Sequence, residues 1–188
     1  MSSIKLTADS GGGTFELKAP SSSGNTRVFT LPDSADATLL TAASTLGKLG
    51  QIVTQIYEPG GSSVSTSSTS FVDTSMTLQI TPSNTNSKIF IFGIANGHRS
   101  TSTGANAIIN IKRAVSGGST DNLAGQTYGV AHTYETNATT TPIFFVDGTT
   151  GTAQRTYTVV HRTDVGSAES HIFRANTSNM FMLAEILP

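Results

Sequence analysis

The chain has 188 residues, of which 12% are charged, with a formal net charge of −1 and no cysteine. That charge share is about half the usual one, and without a basic surplus or stripe the chain lacks the footprint of a nucleic-acid binder. The missing cysteine excludes a disulfide framework and thiolate metal sites, and no apolar stretch reaches transmembrane length.

Thr accounts for 30 residues, Ser for 24 and Gly for 18. Thr is β-branched and favours strands, whereas Ser and Gly favour turns. The composition predicts an all-β fold whose surface is made polar by hydroxyls and amides. The opening residues, MSSIKLTADSGGG, lack the apolar core of a signal peptide, so folding in a cytoplasm is expected.

Residues 1–50 form one regime. SIKLTADS and TFELKAP alternate apolar and polar residues as half-buried strands do, and so does RVFTLP. Pro20 and Pro32 end these pieces because proline cannot continue a sheet ladder. DSADATLLTAASTLGKLG follows, with Asp33 or Ser34 placed to cap a short helical turn and Gly47 and Gly50 closing the region. Large apolar side chains are too few here to bury a core. The expectation is an extended N-terminal arm.

Residues 51–188 read as a jelly-roll-like antiparallel β-sandwich. QIVTQIYE is a strand, with Ile52, Thr54 and Ile56 on one face and Val53, Gln55 and Tyr57 on the other. EPGGSS is a turn, and SVSTSSTSFVDTS is polar enough for an edge strand or extended loop. MTLQITP alternates strictly, which points Met76, Leu78 and Ile80 inward. KIFIFGIAN is apolar on both faces, as suits a central strand or a subunit interface. NAIINIKRA, LAGQTYGVAHTYE, ATTTPIFFVDG, AQRTYTVVHRT, ESHIFRA and NMFMLAEIL complete about nine or ten strands at sandwich spacing. The outward faces of KIFIFGI and NMFMLAEIL need cover; a homo-oligomer, expected as a closed trimer, supplies it most simply, and a layer of arm residues from the same or a neighbouring chain is the other option.

Signals for chemistry are sparse. His98, His132, His161 and His171 form no HExxH pair, the glycine pairs precede no phosphate-binding lysine and helix, and no GxSxG occurs. HRTDVGSAESH reads as a hairpin tip that could gather His161, Asp164, Glu169 and His171, although a plain polar tip is the stronger reading. His98 and Arg99 open a predicted loop, HRSTSTGAN. Together with Tyr134 in TYETNATTT they are candidate outer-loop contacts, since loops on rigid sandwiches often carry binding. No catalytic residue, cofactor site or metal site is assigned.

SGGGTFELKAPSSSGNTRVFTLPDSADATLLTAASTLGKLGQIV resembles the N-terminal segment of structural proteins of tailed bacteriophages, notably those of marine bacteria and cyanobacteria. SSTSFVDTSMTLQITPSNTNSKIFIFGIANG resembles the opening half of the sandwich in phage fibre and virion-surface proteins, and NMFMLAEIL their closing strand. The resemblance implies a virion component, usually trimeric, assembled in the host cytoplasm; with no catalytic residues read, no enzymatic activity is expected, and an enzyme such as a depolymerase is the weakest alternative. Its N-terminal part would attach to another virion protein, the major capsid protein first, and its sandwich would face outward. Phe15, Leu17, Val28, Phe29 and Leu31 are the expected buried contacts of that arm, gained by adding strands to another subunit. A capsid decoration or cement protein is the first expectation. A short tail- or head-fibre protein that binds a host surface glycan is the alternative. Neither nucleic acid nor a membrane is expected as a partner.

Overall fold

Alternating Thr, Val and Ile residues build strands throughout the computed structural model, which describes residues 3–7, 14–18, 24 and 48–188. The described residues contain strands and turns but no helix, so the fold is all-β, as composition predicts. The chain divides into two units, Met1–Ser44 and Thr45–Pro188.

In the first unit, β1 (Ser3–Thr7) and β2 (Thr14–Lys18) form an antiparallel hairpin. Its register sets Ile4 opposite Leu17 and Leu6 opposite Phe15. The expected strand RVFTLP, with Val28, Phe29 and Leu31, and the helical turn expected over 35–43 lie outside the described residues.

The second unit begins with β3 (Lys48–Tyr57), three residues ahead of the QIVTQIYE boundary read from sequence. Then come β4 (Val64–Thr66), β5 (Val72–Ile80), β6 (Lys88–Ser100), β7 (Ala107–Val115) and β8 (Thr120–Asn122). They are followed by β9 (Ala131–Thr133), β10 (Thr139–Asp147), β11 (Arg155–Thr163), β12 (Ser170–Ile172) and β13 (Asn179–Leu187). The eleven exceed the expected nine or ten because β4, β8, β9 and β12 are three-residue strands, too short for a period to register.

Two antiparallel sheets result. The first runs β3-β13-β6-β12-β4 with β10 also on β6; the second runs β5-β11-β7-β8 with β9 also on β7. Both β13 and β10 pair with Ile89–Ile94, so they must flank β6 on opposite edges. Pairing is nested: β3 with β13, β5 with β11, β6 with β10, and β7 with β8 and β9.

The core fills the space between the sheets. Period-2 alternation sends Ile89, Ile91 and Ala95 of β6, Ile143 of β10, and Phe181 and Leu183 of β13 inward. They meet Met76 and Ile80 of β5, Ile109 and Ile111 of β7, and Tyr157 and Val159 of β11. Met76 and Ile80 are buried and Leu78 partly so, in keeping with the inward face read for MTLQITP. Each fully buried Ile or Met contributes about 1.5–3 kcal/mol relative to exposure.

Candidate functional site

The other side of the first sheet is apolar as well. Register places Ile56, Met180, Ile94 and Pro142 in one cross-strand row. The next row is Thr54, Met182, Phe92 and Phe144, and the next Ile52, Ala184, Phe90 and Val146. At the margins Leu49, Ile52, Ile56, Phe144 and Val146 are 49% to 70% exposed. Phe92 and Phe144 pack across the β6–β10 pair with centroids 5.0 Å apart. Four strands at ~4.8 Å spacing, nine residues long at ~3.3 Å each, make a face of roughly 600 Å². That is at the top of the range for the largest patch on a monomer, and such patches mark interaction sites.

At one end of the same sheet a glycine re-aims the chain. In the β6–β10 ladder Thr140 pairs with Asn96 but Thr139 with His98, so Gly97 is an extra residue, with φ +82°. A bulge of this kind flips the alternation. His98 therefore turns into the core, 0% exposed, and Arg99 turns outward. The two residues read as the start of a loop belong to the end of β6. His98 Nε2 donates to Ala107 O at 3.1 Å, which leaves Nδ1 to accept from Thr141 Oγ1 at 3.0 Å. Burial lowers its pKa to about 4, so at neutral pH it is an uncharged core residue with no access to an outer partner.

Arg99 instead lines a cavity of about 270 Å³ with Ser63, Gly97, Thr136, Asn137, Ala138 and Arg174. The two segments singled out from sequence, around Arg99 and within TYETNATTT, thus converge on one site. Arg174 was not read from sequence as a site residue. It arrives through a tight turn after β12 in which Phe173 (φ 56°) and Asn176 (φ 57°) adopt left-handed backbone. Phe173 points into the core and packs edge-on against Tyr57 at 5.4 Å. Arg174 N donates to Asn96 O at 2.7 Å, Ala175 N to Ser63 Oγ at 3.3 Å and Asn176 N to Pro59 O at 3.1 Å. Among the described residues neither Arg99 nor Arg174 has a carboxylate within ion-pair distance.

Tyr134, the third expected outer contact, is half exposed and lies edge-on to His132 at 5.9 Å; Tyr128 stacks on the same imidazole at 4.7 Å. The HRTDVGSAESH groups separate. His161 is buried and its Nδ1 meets Ser170 Oγ, Asp164 accepts from Asn106, and only His171 and Glu169 pair, at 2.9 Å. No group of three His, Asp or Glu residues at metal-ligating spacing occurs among the described residues. Phe15 and Leu17 lie in β2.

Two buried carboxylates fasten the sheets. Asp147, at the end of β10, accepts from Tyr157 at 2.6 Å and from Arg113 at 2.8 Å in the opposite sheet. Burial raises its pKa, but the bonds from Tyr157, Thr149 and Arg113 outweigh that and leave it lowered. Glu185 sits opposite a bulge in β3, where Gly50 leaves it room: a Cβ there would stand 2.7 Å from Glu185 Oε2. Burial pushes its pKa up, and donors from Ser87, Ser83 and Gln51 draw it down to about 2. Of these, Ser83 has the firm geometry, at 2.6 and 2.9 Å, while Ser87 Oγ has no hydrogen-bond partner.

No protein-family model matches the chain, and no curated protein matches it. Among the described residues no helix is long and apolar enough to cross a membrane.

Proposed function

We propose that this chain is a structural protein of a tailed-phage virion, a trimeric capsid decoration protein without enzymatic activity. Its sandwich self-associates through the outer face of the β3-β13-β6-β10 layer, and its N-terminal arm attaches it to the major capsid protein. The observation that carries the reading is the apolar outer face, whose marginal residues Leu49, Ile52, Ile56, Phe144 and Val146 are exposed among the described residues. Roughly 600 Å² per chain approaches the ~800 Å² that one partner contributes to a standard interface. The middle of the face carries no charge, so copies can meet without desolvating ions. The nested pairing of the long strands, in the manner of a jelly roll, and the phage-like sequence segments support the same class of part. Native mass spectrometry of the full chain tests the reading. A mass of three chains is expected, and a monomer at micromolar concentration contradicts it.

A second reading, a short fibre protein that binds a host surface glycan, is favoured by one observation. Arg99 and the TYETNATTT segment line one cavity with Arg174. Loops at the end of a rigid sandwich are where such proteins carry recognition.

A further inference from the structure

We infer that the Arg99–Arg174 cavity binds the carboxylate of an acidic sugar, a hexuronate or a similarly charged pyranose. This deepens the glycan-binding reading and rests on it for the source of the ligand. Two arginines from distant parts of the chain, Arg99 of β6 and Arg174 of the turn after β12, line one cavity. Like charges brought together repel unless an anion lies between them. Of the other described cations, Arg113 meets Asp147 and Asp121, Arg155 approaches Asp147 and Lys112 pairs with Asp73, while the exposed Lys88 has no ion pair among the described residues. Arg162 bonds four backbone carbonyls. Among the described residues Arg99 and Arg174 have no carboxylate within ion-pair distance. Guanidinium is the side chain best matched to a planar carboxylate, which it can grip with two parallel bonds.

The rest of the lining selects for hydroxyls. Ser63, Thr136 and Asn137 supply short polar groups that both donate and accept, as a sugar hydroxyl requires. The only apolar side chain is Ala138. A volume of about 270 Å³ suits one pyranose ring, below the usual span for a drug-sized ligand. The site is also built in advance. Arg174 is seated by its backbone bond to Asn96 and by the absence of a side chain at Gly97. Tyr134 lies two residues before the Thr136–Ala138 segment and is half exposed.

The test is calorimetric titration of the full chain with galacturonate and glucuronate, with glucose and inorganic phosphate as separate arms. Saturable millimolar-range binding of a uronate is expected, weakening with added salt, and no binding of glucose. Arg99→Gln and Arg174→Gln should each weaken uronate binding about 10- to 100-fold, the loss of charge-assisted hydrogen bonds. Both side chains reach the surface, so an unchanged melting curve will show that the variants fold. Absence of uronate binding to the folded chain overturns the inference. Equal binding of glucose and uronate, unaffected by either substitution, overturns it too but leaves a glycan-binding role standing. If phosphate binds as tightly as uronate and Asn137→Ala changes nothing, the site is a plain anion site and the sugar assignment fails.

Discussion

Gly97 and Arg174 share one small volume. A Cβ at position 97 would overlap the Arg174 Cβ and stand 2.9 Å from its backbone nitrogen. Gly97→Ala therefore meets two obstacles, a left-handed φ of +82° and an occupied space. The expected loss is at least about 2 kcal/mol. Urea denaturation measures it, and a loss within a few tenths of a kcal/mol would mean that the turn at 173–176 yields freely.

Acid should weaken the fold through its core histidines. Burial lowers the pKa of His98 and His161 from 6.5 to about 4. For a base this means that the unfolded chain takes up protons first. Stability is full above pH 6.5 and falls between 6.5 and 4, by up to about 3 kcal/mol for each group. Glu185 adds its own loss at lower pH, from 4.5 towards 2, since its depressed pKa favours the folded state only while it is ionised. Denaturation midpoints across this range check the profile, and His98→Asn should remove part of the slope between 6.5 and 4.

Asp147 tests the link between the sheets. Asp147→Ala strips Tyr157 and Arg113 of a buried acceptor, and Arg155 loses the one carboxylate near it among the described residues, at 3.8 Å. The expected cost is about 3–5 kcal/mol. Tyr157→Phe removes one bond and keeps the ion pair, so about 1–2 kcal/mol is expected. Equal losses for the two variants would argue that the ion pair contributes nothing beyond the Tyr157 bond.

These sites differ in how far the sequence revealed them. The strict alternation of MTLQITP and the two-faced KIFIFGIAN were legible, because a strand's period of two survives wherever the ladder is regular. Glu185 was legible in principle, since it shares the parity of Phe181 and Leu183. The Arg99 site was half legible. A glycine inside FGIANGH is the ordinary sign of a bulge, but ending the strand at Asn96 hid the phase flip that buries His98 and exposes Arg99. Arg174 could not be paired with Arg99 from sequence, because only the winding of β12 beside β6 and the left-handed Phe173 bring it there.

The proposed arm makes a separate demand. Substituting Phe15, Leu17, Val28, Phe29 and Leu31 together by Ser should abolish incorporation into particles while the thermal unfolding of the sandwich stays unchanged. Normal incorporation would refute attachment through this segment.

The sheet face bears most of the account, and native mass spectrometry of the wild type beside an Ile56→Asp, Phe144→Asp variant tests it most directly. Both side chains are exposed in the single chain, at 70% and 55%, so the variant should fold. The account predicts three copies of the 19.5 kDa chain for the wild type and one for the variant. A wild-type monomer, or a variant that remains a trimer, would contradict it.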